Sequence, residues 1–163
     1  MYYFNIFFIY SFIGYIFEKF ILHSRSGILH GPITPIYGVG VIIMIIVSRF
    51  FFEKLKLPRF FEAIISAFII MLILTLLEYL TGTMIEKISG IVFWDYSKIP
   101  LNFGKYIAIP ISACWFACSF LVIYFVKDLI DNFTTKIPPF ITLLLIGTLI
   151  IDIIYTVIVG IDK

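Results

Sequence analysis

The stretch that decides the fold is GPITPIYGVG, Gly31–Gly40, with Glu18 shortly before it and an apolar run on either side. It packs three glycines and two prolines into ten residues. Proline withholds a backbone donor and glycine permits unusual dihedrals, so the stretch reads as a bend or a broken helix entrance. Each flanking run approaches the roughly 20 apolar residues that a helix needs to cross the hydrocarbon core. At membrane depth such irregular backbone survives only where protein or a water-filled cavity satisfies it. A second polar stretch, WDYSKIPLNFGK from Trp94 to Lys105, lies in the matching position two crossings later. The two stretches read together as the walls of one site.

Composition agrees. Of 163 residues, 62% are apolar and 13% charged, too little polar surface for a water-soluble domain of this length. Nineteen Phe and ten Tyr suit lipid-facing and interfacial positions. The net charge of +2 is small and scattered, which argues against nucleic acid as a partner. A phosphate-cradling GxxxxGK[ST] loop is missing, so any ATP hydrolysis belongs to another chain. Cys114 and Cys118 sit four apart in an apolar run and read as small residues in a helix contact, neither a redox pair nor a metal site. The expectation is no cofactor and no metal.

Five crossings are predicted, at about 2–22, 33–52, 61–80, 107–126 and 139–159, with the third continuing amphipathically toward Ser89. They make residues 1–163 a single integral membrane domain. The fold class is an all-α membrane protein, a bundle of about five transmembrane helices with two irregular connectors on one side. The first run lacks a basic start and a cleavage site, so it reads as a retained helix. Lysines and arginines divide six against six between the two sides. The densest cluster, Arg49–Arg59, tips the lean toward a cytoplasmic N-terminus. A weak internal echo runs from Glu18 through Ser26-Gly27-Ile28 and again from Glu78 through Ser89-Gly90-Ile91.

Intramembrane carboxylates cost on the order of 3 kcal/mol at the bilayer centre and usually face a bundle interior or a cavity. Ser11, Gly14 and Glu18 share one stripe of the first helix. Thr75, Glu78, Gly82 and Glu86 share one on the third, and Thr148, Asp152 and Tyr155 one on the fifth. Helices one, three and five run the same way, so Glu18, Glu78 and Asp152 are expected to approach one side and to line a half-cavity. The candidate ligand-binding residues are Glu18, His30, Pro32, Tyr37, Glu78, Glu86, Trp94, Asp95, Tyr96, Asn102 and Asp152. Arg25, Lys98 and Lys105 are the candidate cationic partners, with His23 and His30 able to exchange protons. The competing reading pairs these charges with one another and with headgroups. Trp94 and Tyr96 also suit interfacial anchors, Asp95 suits a helix cap or an acceptor for a backbone amide, and Asn102 and Gly104 suit a turn. On the fourth helix, Ser112, Trp115 and Ser119 form a polar stripe beside the small pairs Ala113/Ala117 and Cys114/Cys118.

The segments FIGYIFEKF, GILHGPITPIYGVG, LLEYLTGTMIEKISGIVFWDYS and LNFGKYIAIPISACW resemble, in order and approximate spacing, the "putative ABC-transporter type IV" membrane family, also described as CmpB-like permeases. The resemblance covers about Phe12 to Trp115. It implies a bacterial multi-pass inner-membrane transporter permease, partnered by the lipid bilayer and a separate ATPase subunit. Five helices are few for a complete pathway, which points to a homodimer. As motif positions it carries Glu18, Gly31, Pro32, Pro35, Tyr37, Gly38, Glu78, Glu86, Trp94, Asp95, Tyr96, Asn102 and Gly104. The function expected is transport, with a small polar or cationic ligand in the acid-lined half-cavity. The alternatives are a membrane enzyme acting on a lipid headgroup, with Asp95, His30 and a glutamate as acid and base, and a non-catalytic accessory or scaffold subunit.

Overall fold

The computed structural model describes residues 1–21 and 29–159. His23, Arg25 and the first Ser-Gly-Ile echo lie outside them. Helix dominates, as the apolar runs require: α1 (Tyr2–Ile16), α2 (Pro35–Leu55), α3 (Arg59–Ser89), α4 (Ile109–Leu121), α5 (Lys127–Thr134) and α6 (Pro139–Val159). A two-residue hairpin, β1 (Asn102–Phe103) and β2 (Ile107–Ala108), interrupts the helices between α3 and α4. Prolines open α2 and α6, where a preset φ helps and no helical hydrogen bond is lost.

This is an all-α membrane fold. The three helical stretches Arg59–Ser89, Ile109–Thr134 and Pro139–Val159 are long and apolar enough to cross a bilayer, and Pro35–Phe51 is a shorter apolar helix. Large apolar side chains face outward, with Ile88 81% and Val157 78% exposed. Along α3 the buried positions include the small or polar Ala63, Ser66, Ala67, Glu78 and Gly82. Small and polar residues join Ile70 and Leu74 on the inner face of α3 while large apolar side chains also face outward, which suits helices solvated by lipid.

Two compact units are present: Met1–Ile43 with Lys127–Lys163, and Met44–Val126. In the first, α1 ends in a π-helical turn, Phe17–Ile21. The start of α2 seats on α1, where Tyr37 covers Gly14 and Gly38 lies against Ser11 and the Phe7 carbonyl. At the other end of α1, buried Asn5 accepts from the Thr142 hydroxyl of α6 (2.5 Å) and donates to the Thr134 carbonyl of α5 (3.3 Å). Nearby, the Tyr2 hydroxyl donates to Asp131, which also pairs with Lys127 at 2.5 Å.

The second unit is organised by α3 lying along α4. Helix α3 closes with Gly90 in the left-handed region (φ 69°), its N–H capping the Glu86 carbonyl. The connector that follows returns through the hairpin, with Asn102 opposite Ala108, Phe103 opposite Ile107, and Gly104 (φ 73°) in the turn.

Two expectations change. The helix begun at Ile109 does not stop at Val126: it passes through a π-helical turn, Val122–Val126, and continues as α5 to Thr134. Hydropathy falls at Lys127 and Asp128, but a helix needs continuous backbone hydrogen bonding and not continuous oil. Cys114 and Cys118 are exposed, as are Ala113 and Ala117, so among the described residues the small-residue pairs of α4 are not packed in a helix contact. The polar stripe of α4 is the one that meets α3.

Candidate functional site

The candidate residues fall into two sets, one per unit. In the second unit, the predicted stripe of α3 is used from end to end. Thr75 donates to Ser112 of α4 at 2.9 Å. One turn on, Glu78 is only 6% exposed, and both of its oxygens are held by neutral donors. The Tyr96 hydroxyl donates to Oε1 at 2.6 Å and the Trp115 indole N–H to Oε2 at 3.0 Å. Among the described residues, no basic side chain pairs with Glu78.

A further turn along, Gly82 makes room for the ring of Tyr106: a Cβ here would stand 2.6 Å from that ring. The Tyr106 hydroxyl then donates to Glu86 Oε2 at 2.7 Å, and Lys105 Nζ to Oε1 at 2.5 Å. Bonding to Glu86 raises the Lys105 ammonium above its ordinary range. Burial and the same carboxylate push the Tyr106 phenol up to about 12. Trp94 meets Tyr106 edge to face at 5.9 Å, and its indole nitrogen is buried without a hydrogen-bond partner.

Asp95 and Asn102 build the connector. The Asp95 carboxylate accepts the Ser97 N–H at 2.8 Å, closing an Asx turn, and the Ser97 hydroxyl and amide hold it below the usual carboxylate range. Asn102 donates to the carbonyls of Ser97 (2.7 Å) and Ile99 (2.9 Å). Tyr96 N–H reaches the Lys105 carbonyl at 2.7 Å, so the two ends of the connector are tied where Tyr96 turns toward Glu78. Lys98 is exposed.

In the first unit, Asp152 of α6 receives the Gly/Pro bend. Its Oδ1 accepts the His30 N–H at 3.1 Å and its Oδ2 the Gly31 N–H at 3.0 Å. A Cβ at Gly31 would stand 2.8 Å from that oxygen, so glycine is what lets the backbone approach. The His30 ring bonds Thr156 at 2.9 Å and stacks edge to face on Tyr155 at 5.0 Å. Pro32 is exposed within the bend, and the Thr34 N–H ties the bend to the Ser11 carbonyl of α1 at 3.1 Å. The Tyr37 hydroxyl bonds Glu18.

Sequence reasoning underweighted Trp115, whose stripe was visible but whose partner was not. It passed over Tyr106 and Glu62. The latter is a buried acid in the first turn of α3 that accepts the Leu57 N–H at 3.0 Å. The signal for Glu62 was its place at a helix start, where a carboxylate meets free N–H groups.

The class defined so far is an all-α membrane protein with hydrogen-bonded carboxylates inside its apolar helices. The family described as "Putative ABC-transporter type IV" matches residues 5–159, and the chain belongs to it. No curated protein and no solved structure matches the chain significantly.

Proposed function

We propose that the chain is a multi-pass, transport-type subunit of a bacterial cytoplasmic membrane, and that its second unit takes up a small cation at Glu78. The observation that carries this reading is a carboxylate 6% exposed whose two partners, Tyr96 and Trp115, are both neutral. A carboxylate removed from water without a fixed cation favours a proton or an exchangeable positive ligand. Aromatic rings beside it suit an organic ammonium, which ring faces attract by about 0.5–2 kcal/mol each. The family description supports a transport role and an ATPase as a separate partner. A second copy of the chain would complete a pathway too large for five helices. The readings as a headgroup enzyme and as an accessory subunit draw less support: Asp95 is spent on its own turn, and a pure scaffold has no need of a desolvated acid.

Trp94 and Trp115 are the only tryptophans in the chain, so intrinsic emission reports on this unit alone. Purified protein in detergent is titrated with tetramethylammonium, ammonium, potassium and protons. A saturable emission change in wild type, lost in Glu78→Gln, is expected. No saturable change with any of the four, or the same change in the folded variant, would overturn the reading.

A further inference from the structure

The two units share a signature that aligns in one register. Gly14-Tyr-Ile-Phe-Glu18-Lys19-Phe20, at the end of α1 and in its π-helical turn, matches Gly82-Thr-Met-Ile-Glu86-Lys87-Ile88 in α3, every pair 68 positions apart. The register continues through the buried stripe: Ile6 with Leu74 and Tyr10 with Glu78, each pair buried at both members, then Gly14 with Gly82. It differs from the Ser-Gly-Ile echo, which sets Glu18 against Glu78.

Geometry repeats independently of the letters. In the first unit the ring of Tyr37 lies on Gly14 and its hydroxyl bonds Glu18, one turn further along the helix. In the second, the ring of Tyr106 lies on Gly82 and its hydroxyl bonds Glu86, again one turn further along. The tyrosine follows its glycine by nearly the same length of chain in both cases, and each stands near the start of the next helix. A chance match of residue types would not also reproduce which ring covers which glycine and which carboxylate accepts which hydroxyl.

We propose that the segment from α1 to the start of α2 and the segment from α3 to the start of α4 are two copies of one helix with its return connector, each closed by the same Gly–Glu–Tyr clamp, with Glu18 and Glu86 in equivalent positions. The copies diverge where it matters. At the buried position one turn before the glycine, the first copy has Tyr10 and the second has Glu78. The clamps are therefore shared scaffold, and the carboxylate at Glu78 is the specialised feature of the second copy. This last assignment rests on the function proposed above, whereas the duplication does not.

Two measurements test the duplication. Thermal unfolding of purified protein compares Tyr37→Phe with Tyr106→Phe and Glu18→Gln with Glu86→Gln, together with the double variant of each clamp. Matched variants are expected to melt within a degree or two of each other, each about 2–4 °C below wild type, with neither double worse than its worse single. One clamp costing stability while the other costs none would overturn the proposal. In cells, cysteines replacing Lys19 and Lys87 are expected to react with a membrane-impermeant maleimide from the same side, since parallel copies separated by an even number of crossings face alike. Labelling from opposite sides would overturn it too. Neither result depends on whether Glu78 binds a cation.

Discussion

Asp152 and Glu78 are both carboxylates within apolar helices, and they are satisfied in different ways. Asp152 accepts two backbone N–H groups from His30 and Gly31, whereas Glu78 accepts two side-chain donors, Tyr96 and Trp115. The backbone donors are free because the chain is broken at the Gly/Pro bend, where no helix supplies them with a carbonyl. An acceptor opposite them is a requirement of the fold. The donors on Glu78 are there only because the sequence placed them around an acid. An acid that repairs backbone is structure, while an acid that has been supplied with partners is a candidate for function.

That contrast breaks most visibly at Asp152. Replacing it with Ala leaves the part-buried Gly31 N–H and the exposed His30 N–H without their acceptor, the first worth about 1–3 kcal/mol, so a clear loss of folded protein on detergent-solubilised melting is expected. Asn, which keeps one acceptor, should recover part of it. If Asp152→Ala melts like wild type, the bend is held by something else.

Gly38→Ala comes next. Its Cβ would stand 2.5 Å from the Phe7 carbonyl, which cannot swing aside, and overpacking of this kind costs about 1–3 kcal/mol. Gly147→Ala, with nothing within 4 Å of the new methyl, is the matched control and should be neutral by the same melt.

Glu78→Gln should divide the two properties. One neutral acceptor remains for Tyr96 or Trp115, so stability should change by no more than about 1 kcal/mol. The cation response of tryptophan emission should vanish. A stability loss as large as that of Asp152→Ala would place Glu78 with the structural acids and erase the distinction.

The smallest effect belongs to the exposed Lys105–Glu86 pair. The Lys105 ammonium is raised in the folded state, so its contribution is fully present below its unfolded pKa near 10.4 and is lost as pH rises through the higher folded value. Asp95 is depressed, so its contribution is present above roughly 3.9 and is lost as pH falls through its lower folded value. The difference in melting temperature between wild type and Glu86→Gln should therefore stay constant from pH 6 to 9, and shrink both at strongly alkaline pH, where Lys105 loses its proton, and at acid pH, where the Glu86 carboxylate gains one.

Much of this was legible before any coordinates. Helical spacing alone put Thr75, Glu78, Gly82 and Glu86 on one stripe, and each proves to have its own partner on α4 or the connector. The gathering of Glu18, Glu78 and Asp152 into one half-cavity was an inference from helix direction. Glu18 and Asp152 belong to one compact unit and Glu78 to the other. Direction says which end of a helix a residue nears, and nothing about which neighbour that face meets. Asp95 reads from its company as a ligand and from its type as an acceptor for a backbone amide, and the bond it makes is the second kind, to the Ser97 N–H two residues away.

What the sequence determined by itself is the membrane class, the apolar helical runs and their polar stripes. Those follow from length, oil and a period of 3.6, which are properties of single segments. Tertiary structure decided which acid mends the backbone, which acid is handed side-chain donors, and which tyrosine lies on which glycine. These are contacts across as many as 122 positions of chain, and no local periodicity encodes a partner that far away.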